Sequence, residues 1–359
     1  MRHSANLDIL RAFAVISVCV EHLVRTLNAH TGFHNEVVCA FTSQIGRAGV
    51  LAFFVHTSLV LMCSLERMAS STDRVSLRFY IRRFFRIYPL SIFCVTLAVI
   101  LHIPSNTWRA PDIVTPSVIF SNLLLVQNVI AKGNVIGPLW SLPFEVQMYL
   151  VLPVLYFFTR RRGAVAGLCC LLTFFCCLGF LSSWYTSGRH NPTLFVPCFL
   201  CGVLCYSLRD RVREFIPAVF WPAFVLLLIS GYCMLSLDES PKFWVDWIFC
   251  ILLGLSINAF HNSAYRTVNA VAEKVALYSY SVYLIHLPVL YLVFMVLDIK
   301  NLVFGPLLFV VLTMIVSVVT YQFIESPFIE FGKRMSSRRL CVWACLPAAE
   351  KQEVSCRPQ

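Results

Sequence analysis

Ten apolar segments dominate the 359-residue sequence, and each is long enough to cross about 30 Å of hydrocarbon. Lipid offers no hydrogen-bond partners to the backbone, so such segments are restricted to helices that satisfy their own peptide groups. The composition agrees, since 58% of the residues are hydrophobic and 13% are charged. We therefore predict an all-α, polytopic transmembrane helical bundle with about ten spans. The spans lie at roughly 7–25, 45–65, 84–103, 138–159, 164–184, 194–208, 215–237, 244–261, 276–297 and 303–325.

An eleventh apolar stretch, at 116–130, is shorter and contains uncharged polar side chains. Basic residues decide whether it spans, because cytoplasmic loops are enriched in Lys and Arg. With ten spans and a cytoplasmic N-terminus, all but seven of the 29 basic residues fall on the cytoplasmic side. An extra span would move the cluster Arg160, Arg161 and Arg162 outside. We predict that both termini are cytoplasmic and that 104–137 is a long outer loop whose apolar part is re-entrant or interfacial.

The net charge of +11 follows from this topology, so we expect no nucleic-acid partner. Most of the 16 cysteines lie inside apolar runs, where a thiol packs as a small, polarisable group. Cys198, Cys201 and Cys205 share one helix face, but no His or carboxylate lies beside them at ligand spacing, so we expect core packing and no metal. The predicted domains are a transmembrane domain at 1–335 and a short basic cytoplasmic tail at 336–359. The oligomeric state stays open.

The first span carries an ionisable stripe. Eleven residues at 100° each bring Arg11 and His22 to within about 20° of one another, with a rise of about 16 Å. Asp8 precedes Arg11 by three residues, where it can pair with the guanidinium group. Charged groups in a bilayer are costly and usually face a cavity or a partner. The stripe is either a functional path or the combination of a snorkelling Arg with a structural His.

Other polar side chains lie at membrane depth or at its rim. His56 and His286 fall mid-span, where they indicate either a polar interior or structural hydrogen bonds. Arg82, Arg83 and Arg86 open the third span, and such a rim binds either anionic lipid or a phosphate group.

Three carboxylates complete the candidates. Glu145 lies one turn inside the fourth span, where it could orient an imidazole, bind sugar hydroxyls or face solvent at the rim. We expect Glu325 and Glu330, at the end of the last span, to pair with basic residues of the inner loops.

Several motifs, taken in order between about residues 7 and 333, resemble the acyltransferase family 3 of integral-membrane O-acyltransferases. They are LDILRAFAVISVCVEH, FFVHTSLVL, RRFFRIYPL, a WSL…E…Y…P signature, YSVYLIHLP and ESPFIEFGKR. The chain departs from the family pattern at His56, Thr57 and Ser58, where many members have a Ser-Gly pair. This departure concerns the shape of the acceptor or donor channel.

The resemblance implies transfer of an acyl group, usually acetyl, from cytoplasmic acyl-CoA to a carbohydrate hydroxyl. The acceptor would be a glycolipid or an exported polysaccharide, such as lipopolysaccharide O-antigen or exopolysaccharide. The enzyme would lie in the cytoplasmic (inner) membrane, in contact with lipid, with acetyl-CoA as donor substrate and no tightly bound cofactor. Arg82, Arg83 and Arg86 would bind the CoA phosphates.

The resemblance also implies catalytic roles. Arg11 would anchor the donor, and His22 would act as general base or as an acyl relay, with Glu145 or Asp8 orienting these groups. The residues expected to support them or to line the substrate channel are His56, Ser58, Trp140, Ser141, Tyr149 and His286.

Two rival functions fit part of the pattern. A secondary transporter of a small anionic solute would explain the midplane histidines, but it predicts inverted repeats, which the sequence does not show. A lipid flippase would explain the arginine rim without the Arg11–His22 stripe.

Overall fold

The computed structural model describes residues 4–31, 33, 35–71, 74–108, 114–130, 133–183, 191–237 and 242–337. Within these ranges the chain folds into eleven α-helices. Their bounds are α1 Ala5–His30, α2 Glu36–Ala69, α3 Val75–Ile100, α4 Pro116–Leu123, α5 Leu142–Thr159, α6 Ala164–Ser183, α7 Val196–Leu208, α8 Phe220–Leu235, α9 Phe243–Ser256, α10 Arg266–Leu290 and α11 Phe304–Thr320. Nearly all of the predicted tail at 336–359 lies outside the described residues.

Short irregular turns extend several of these helices. A 3₁₀ turn at Gly137–Ser141 leads into α5. A π-helical turn at Tyr291–Val296 continues α10, and another at Tyr321–Glu325 carries the last helix on to Ser337. The fold class is therefore all-α, as predicted.

Within the described ranges, six helices are long and apolar enough to cross a membrane, which confirms the prediction of a polytopic membrane bundle. The count of ten spans and the location of the termini stay predictions. Three shorter apolar helices occupy the predicted positions of the sixth, seventh and eighth spans. The 26-residue α1 coincides with the predicted first span. The six are Glu36–Ala69, Val75–Ile100, Gly137–Thr159, Ala164–Ser183, Arg266–Val296 and Phe304–Ser337.

The eleventh apolar stretch forms only the eight-residue α4, about 12 Å long and too short to cross the hydrocarbon. Its polar residues hold the loop that follows. The Asn122 amide donates to the Gly133 carbonyl at 2.9 Å and accepts from the Val135 N–H at 3.1 Å. Gln127 donates to the Leu139 carbonyl at 3.0 Å. These buried amides replace water as partners of the loop backbone, so the loop folds against the bundle.

Helix α1 packs mainly against α2 and α10, and α2 also packs against α7. Two glycines permit the close approaches, as is common between membrane helices. A Cβ added at Gly49 would lie 2.7 Å from the Ala14 carbonyl oxygen, and one at Gly202 would lie 2.0 Å from Ser58 Oγ. Ser58, which donates to the Phe54 carbonyl at 2.9 Å, therefore packs at the α2–α7 contact.

Candidate active site

Two cavities open along α1, and we name them after the residue that α1 contributes to each. The Arg11 cavity holds about 90 Å³ and the His22 cavity about 440 Å³. The charged and polar side chains that line the Arg11 cavity are Arg11, His56, Thr57, Arg83, Arg86, Ser141, Glu145, Tyr149, Ser279, Tyr280 and Tyr283. Those of the His22 cavity are Glu21, His22, Arg25, Ser43, Arg47, Asn106, Trp108, Trp140 and Tyr283.

Two helices, α1 and α3, supply the three guanidinium groups of the Arg11 cavity. Arg11 Nε donates to Ser279 Oγ of α10 at 2.7 Å. Arg86 of α3 forms an ion pair with the buried Glu325, whose second oxygen accepts from Ser281 Oγ at 2.7 Å. The predicted pairing of Glu325 with a basic residue is thus present, although its partner lies on a helix rather than in a loop.

Arg83 is the third cation of this cavity. Its guanidinium carbon lies 6.0 Å from the centroid of the Phe79 ring, and its Nε has no hydrogen-bond acceptor in the part of the chain that the structure describes. Glu145, in the first turn of α5, accepts a hydrogen bond from the Tyr149 hydroxyl. Three guanidinium groups thus face two carboxylates, counting Glu325, so the cavity carries an excess of positive charge.

The His22 imidazole lies between two other rings. Its Nδ1 is 2.6 Å from His286 Nε2, and the two rings are nearly coplanar and meet edge to edge, with centroids 4.9 Å apart and an interplanar angle of 10°. Trp108 lies with its ring centroid 5.0 Å from that of His22. Thr26 and Thr107 join the helix to the Trp108 loop through hydroxyl oxygens 2.5 Å apart. With 8% of His22 and 0% of His286 exposed, this histidine pair is buried.

The cations of the His22 cavity have carboxylate partners. Arg25 lies 3.2 Å from Glu21 on the same helix. Asp246 of α9 binds Arg47 through both carboxylate oxygens, at 3.1 and 2.5 Å, and accepts from the Tyr232 hydroxyl at 2.7 Å. The charges of this larger cavity are therefore balanced.

Tyr283 and Val50 line both cavities and form part of the wall between them. The Tyr283 hydroxyl donates to the Pro138 carbonyl at 2.9 Å and lies 2.8 Å from Ser141 Oγ. Its ring centroid is 6.1 Å from that of His286. The two ends of the α1 stripe thus open into separate spaces that meet at one tyrosine.

Most sequence-predicted site residues come together around these cavities, and three take other places. Arg82 donates through Nε to Ser336 Oγ at 3.2 Å, near the end of the last helix, while Arg83 and Arg86 line the Arg11 cavity. Ser58 packs against Gly202, as described above. Asp8 lies one turn before Arg11 on α1, and their direct pairing stays a prediction.

The predicted cysteine cluster lies away from both cavities. Cys198, Cys201 and Cys205 are buried in α7, where the Cys201 carbonyl oxygen lies 2.9 Å from a Cβ placed on Gly254 of α9. Asn258 donates to the Cys205 carbonyl at 2.8 Å. Within the described ranges, no group of three or more His, Cys, Asp or Glu side chains is arranged to hold a metal ion.

Sequence reasoning missed several residues of the His22 cavity, among them Glu21, Arg25, Arg47 and Trp108. Glu21 and Arg25 could have been recognised from their i, i+4 spacing, which allows an ion pair next to His22. Arg47 could have been recognised because it is a cation inside an apolar run. No sequence pattern points to Trp108, because only the tertiary path of its loop brings it to His22.

Comparison with known proteins identifies the family. The acyltransferase domain family, acyltransferase 3, matches residues 4–322. The Bacillus subtilis (strain 168) protein named "Putative peptidoglycan O-acetyltransferase YrhL" is 26% identical over 389 aligned positions, which cover 95% of this chain and 57% of that protein. The chain therefore spans little more than half the length of this relative.

Two further relatives are matched over most of their length. Nodulation protein 10 of Rhizobium leguminosarum bv. viciae is 24% identical, over 80% of this chain and 83% of its own. Acyltransferase MdmB of Streptomyces mycarofaciens is also 24% identical, over 78% of this chain and 77% of its own. No solved structure matches the chain. Because the family match covers nearly the whole chain, the protein belongs to the acyltransferase 3 family, and its long apolar helices indicate an integral-membrane protein.

Proposed function

We propose that the protein transfers an acyl group, acetyl in the first instance, from acyl-CoA to a hydroxyl of a carbohydrate, glycolipid or exported polysaccharide. One observation carries the proposal: a single face of α1 presents Arg11 to a positively charged cavity and His22 to a charge-balanced one. An anionic donor and a neutral polyhydroxyl acceptor require two such environments. The names of relatives, two of which specify acyl or O-acetyl transfer, support the reaction class.

The Arg11 cavity is the proposed donor site. Guanidinium groups match phosphate geometry, and Arg83 Nε is a buried donor in need of an acceptor. A volume of about 90 Å³ admits only the narrow thioester arm of acyl-CoA, so the phosphates would bind at the entrance, next to Arg83. Arg11 and His22 are about 16 Å apart along the helix, so the flexible arm of the donor must pass Tyr283 to reach His22.

The His22 cavity is the proposed acceptor site. It is larger, its cations are already paired, and Trp108 and Trp140 offer aromatic faces. Hydroxyl-rich, uncharged groups fit such a lining better than a polyanion does. His22 removes the proton of the acceptor hydroxyl as its oxygen attacks the thioester carbonyl, and CoA leaves as the thiolate, which takes that proton. In the relay variant, His22 first accepts the acyl group and then passes it to the hydroxyl.

The proposed topology places the donor site on the side where acyl-CoA is made. Counted together with α1 and the three shorter apolar helices, the six long helices would give ten spans, and the distribution of basic residues would then put both ends in the cytoplasm. The Arg11 cavity then faces the cytoplasm and the His22 cavity the outer half of the inner membrane. Acyl groups would cross most of the bilayer while still attached to the donor arm.

Purified protein in liposomes, supplied with radiolabelled acetyl-CoA and candidate glycans or glycolipids, tests the function. We expect label on the acceptor with the wild-type protein and none with His22→Ala. Uptake of label into the liposomes without modification of any acceptor would favour a transporter, and undiminished transfer by His22→Ala would exclude the assigned base.

A further inference from the structure

His286 contacts the proposed base directly, and its own hydrogen bonds restrict how that base can hold its proton. We propose that His286 is a positioning residue that fixes His22 as the tautomer with hydrogen on Nδ1 and the basic lone pair on Nε2. The inference rests on the proposed function, in which His22 takes the proton of the acceptor.

The backbone of α10 determines which nitrogen of His286 carries hydrogen. His286 Nδ1 lies 3.1 Å from the Val282 carbonyl oxygen. A carbonyl oxygen only accepts, so Nδ1 of His286 carries hydrogen and, in the neutral ring, Nε2 carries a lone pair. This lone pair faces His22 Nδ1 at 2.6 Å. His22 Nδ1 must therefore donate, which assigns the basic lone pair of His22 to Nε2.

The reversed arrangement is unfavourable in this environment. If His286 donated from Nε2 as a neutral ring, the lone pair of its Nδ1 would face the Val282 carbonyl oxygen. If it donated from both nitrogens, it would be a cation with 0% exposure, in contact with a second imidazole. A buried charge without a carboxylate partner carries a large desolvation cost.

The arrangement also assists the reaction after proton transfer. When Nε2 of His22 takes the acceptor proton, the oxygen–carbonyl bond forms and the bond from carbon to the CoA sulfur breaks. His22 is then an imidazolium, and its bond from Nδ1–H to His286 Nε2 becomes charge-assisted and stronger. Return of the Nε2 proton to the departing thiolate restores the neutral pair. A buried hydrogen-bond partner that orients a catalytic His in this way has the role that Asp plays in hydrolase triads.

The side-chain tautomer can be read by solid-state ¹⁵N NMR of ¹⁵N-histidine-labelled protein in lipid bilayers, with the His22 signals assigned by their loss in His22→Ala. We expect wild-type His22 to carry hydrogen on Nδ1. His286→Gln, which presents an amide oxygen near the position of Nε2, should keep that tautomer, and His286→Leu should lose it. The exposed His261, changed to Gln, is the matched control and should alter nothing.

Kinetics give the second readout. We expect His286→Leu to lower kcat for acetyl transfer about 10²-fold, the smaller end of what a general base supplies, with KM for acetyl-CoA unchanged. His286→Gln should recover activity to within about tenfold of wild type. If His286→Leu fails to fold, the wild-type and His286→Gln spectra still decide the question.

Hydrogen on Nε2 of wild-type His22, or an unchanged tautomer in a folded His286→Leu protein, would overturn the inference. A wild-type protein with the expected tautomer but without transfer to any acceptor would instead count against the proposed function alone.

Discussion

The Arg11 cavity and the His22 cavity lie at opposite ends of one stripe on α1, and their charged groups are arranged differently. In the first, three guanidinium groups from α1 and α3 face Glu145 and Glu325, so positive charge is in excess. In the second, Glu21 and Asp246 neutralise both arginines. Arginines near the site therefore differ in role according to their partners. Those neutralised by carboxylates stabilise the cavity walls, whereas those in excess over carboxylates attract an anion.

The largest expected effect separates chemistry from donor binding. His22→Ala should lower acyl transfer by about 10²–10⁴-fold, because it removes the base while leaving the Arg11 cavity intact. Binding of CoA, measured on the same preparation by isothermal titration calorimetry, should stay within about twofold of wild type. A parallel loss of CoA binding would show that the two cavities do not act separately.

Breaking the charge balance of the His22 cavity should destabilise the protein. Asp246→Asn leaves Arg47, which is 20% exposed, without its carboxylate partner at a position where Asp246 itself is only 4% exposed. We expect a loss of about 3 kcal/mol in the free energy of unfolding, seen as a lower Tm in detergent.

Glu21→Gln is the matched control, because the Glu21–Arg25 pair lies on one helix and is more exposed, at 13% and 24%. It should cost less than about 1 kcal/mol. Equal losses in the two variants would remove the distinction between an ion pair that joins two helices and one that lies within a single helix.

Adjacent arginines of α3 should differ in donor binding. Arg83→Gln removes a cation that lines the Arg11 cavity and should weaken CoA binding about tenfold or more, the effect of one charge-assisted hydrogen bond. Arg82→Gln changes a side chain that is bonded to Ser336 and should weaken binding about threefold or less. A reversed order would move the phosphate site out of the cavity and onto the rim.

The smallest expected effect is that of salt. Between about 0.05 and 0.5 M salt, the KM for acetyl-CoA should rise several-fold, because screening weakens attraction to unbalanced charge. The KM for an uncharged glycan acceptor should change by less than about twofold. Initial-rate measurements over this range check both values, and an equal dependence would contradict the difference between the cavities.

The helical stripe of α1 could be predicted because it is local: 100° per residue puts Arg11 and His22 on one face. Hydropathy likewise predicted where apolar helices occur, but it did not predict where those helices begin and end. Helix α2 begins at Glu36, after the Asn35 cap that accepts from the Val38 N–H at 3.0 Å, nine residues before the apolar run. Hydropathy marks the hydrocarbon part of a helix, whereas capping marks the end of the helix itself.

The partners of His22 could not be predicted, because they depend on long-range packing. His286 is 264 residues away in sequence, and the Thr26–Thr107 bond that positions the Trp108 loop joins residues 81 apart. Ser58 shows that a sequence motif does not determine which way a side chain faces. Its place in a resembling motif gave it a channel position, but the orientation of α2 turns it toward Gly202 of α7. A sequence motif fixes which residue types occur and leaves open which helix face meets which neighbour.

A structure with a non-reactive thioether analogue of acetyl-CoA, determined by cryo-electron microscopy in a lipid nanodisc, tests the central claim most directly. We predict that the analogue lies with its phosphates at the entrance of the Arg11 cavity, next to Arg83, and that its acyl end passes Tyr283 toward His22. An analogue bound with its phosphates in the His22 cavity would contradict the assignment of the two cavities.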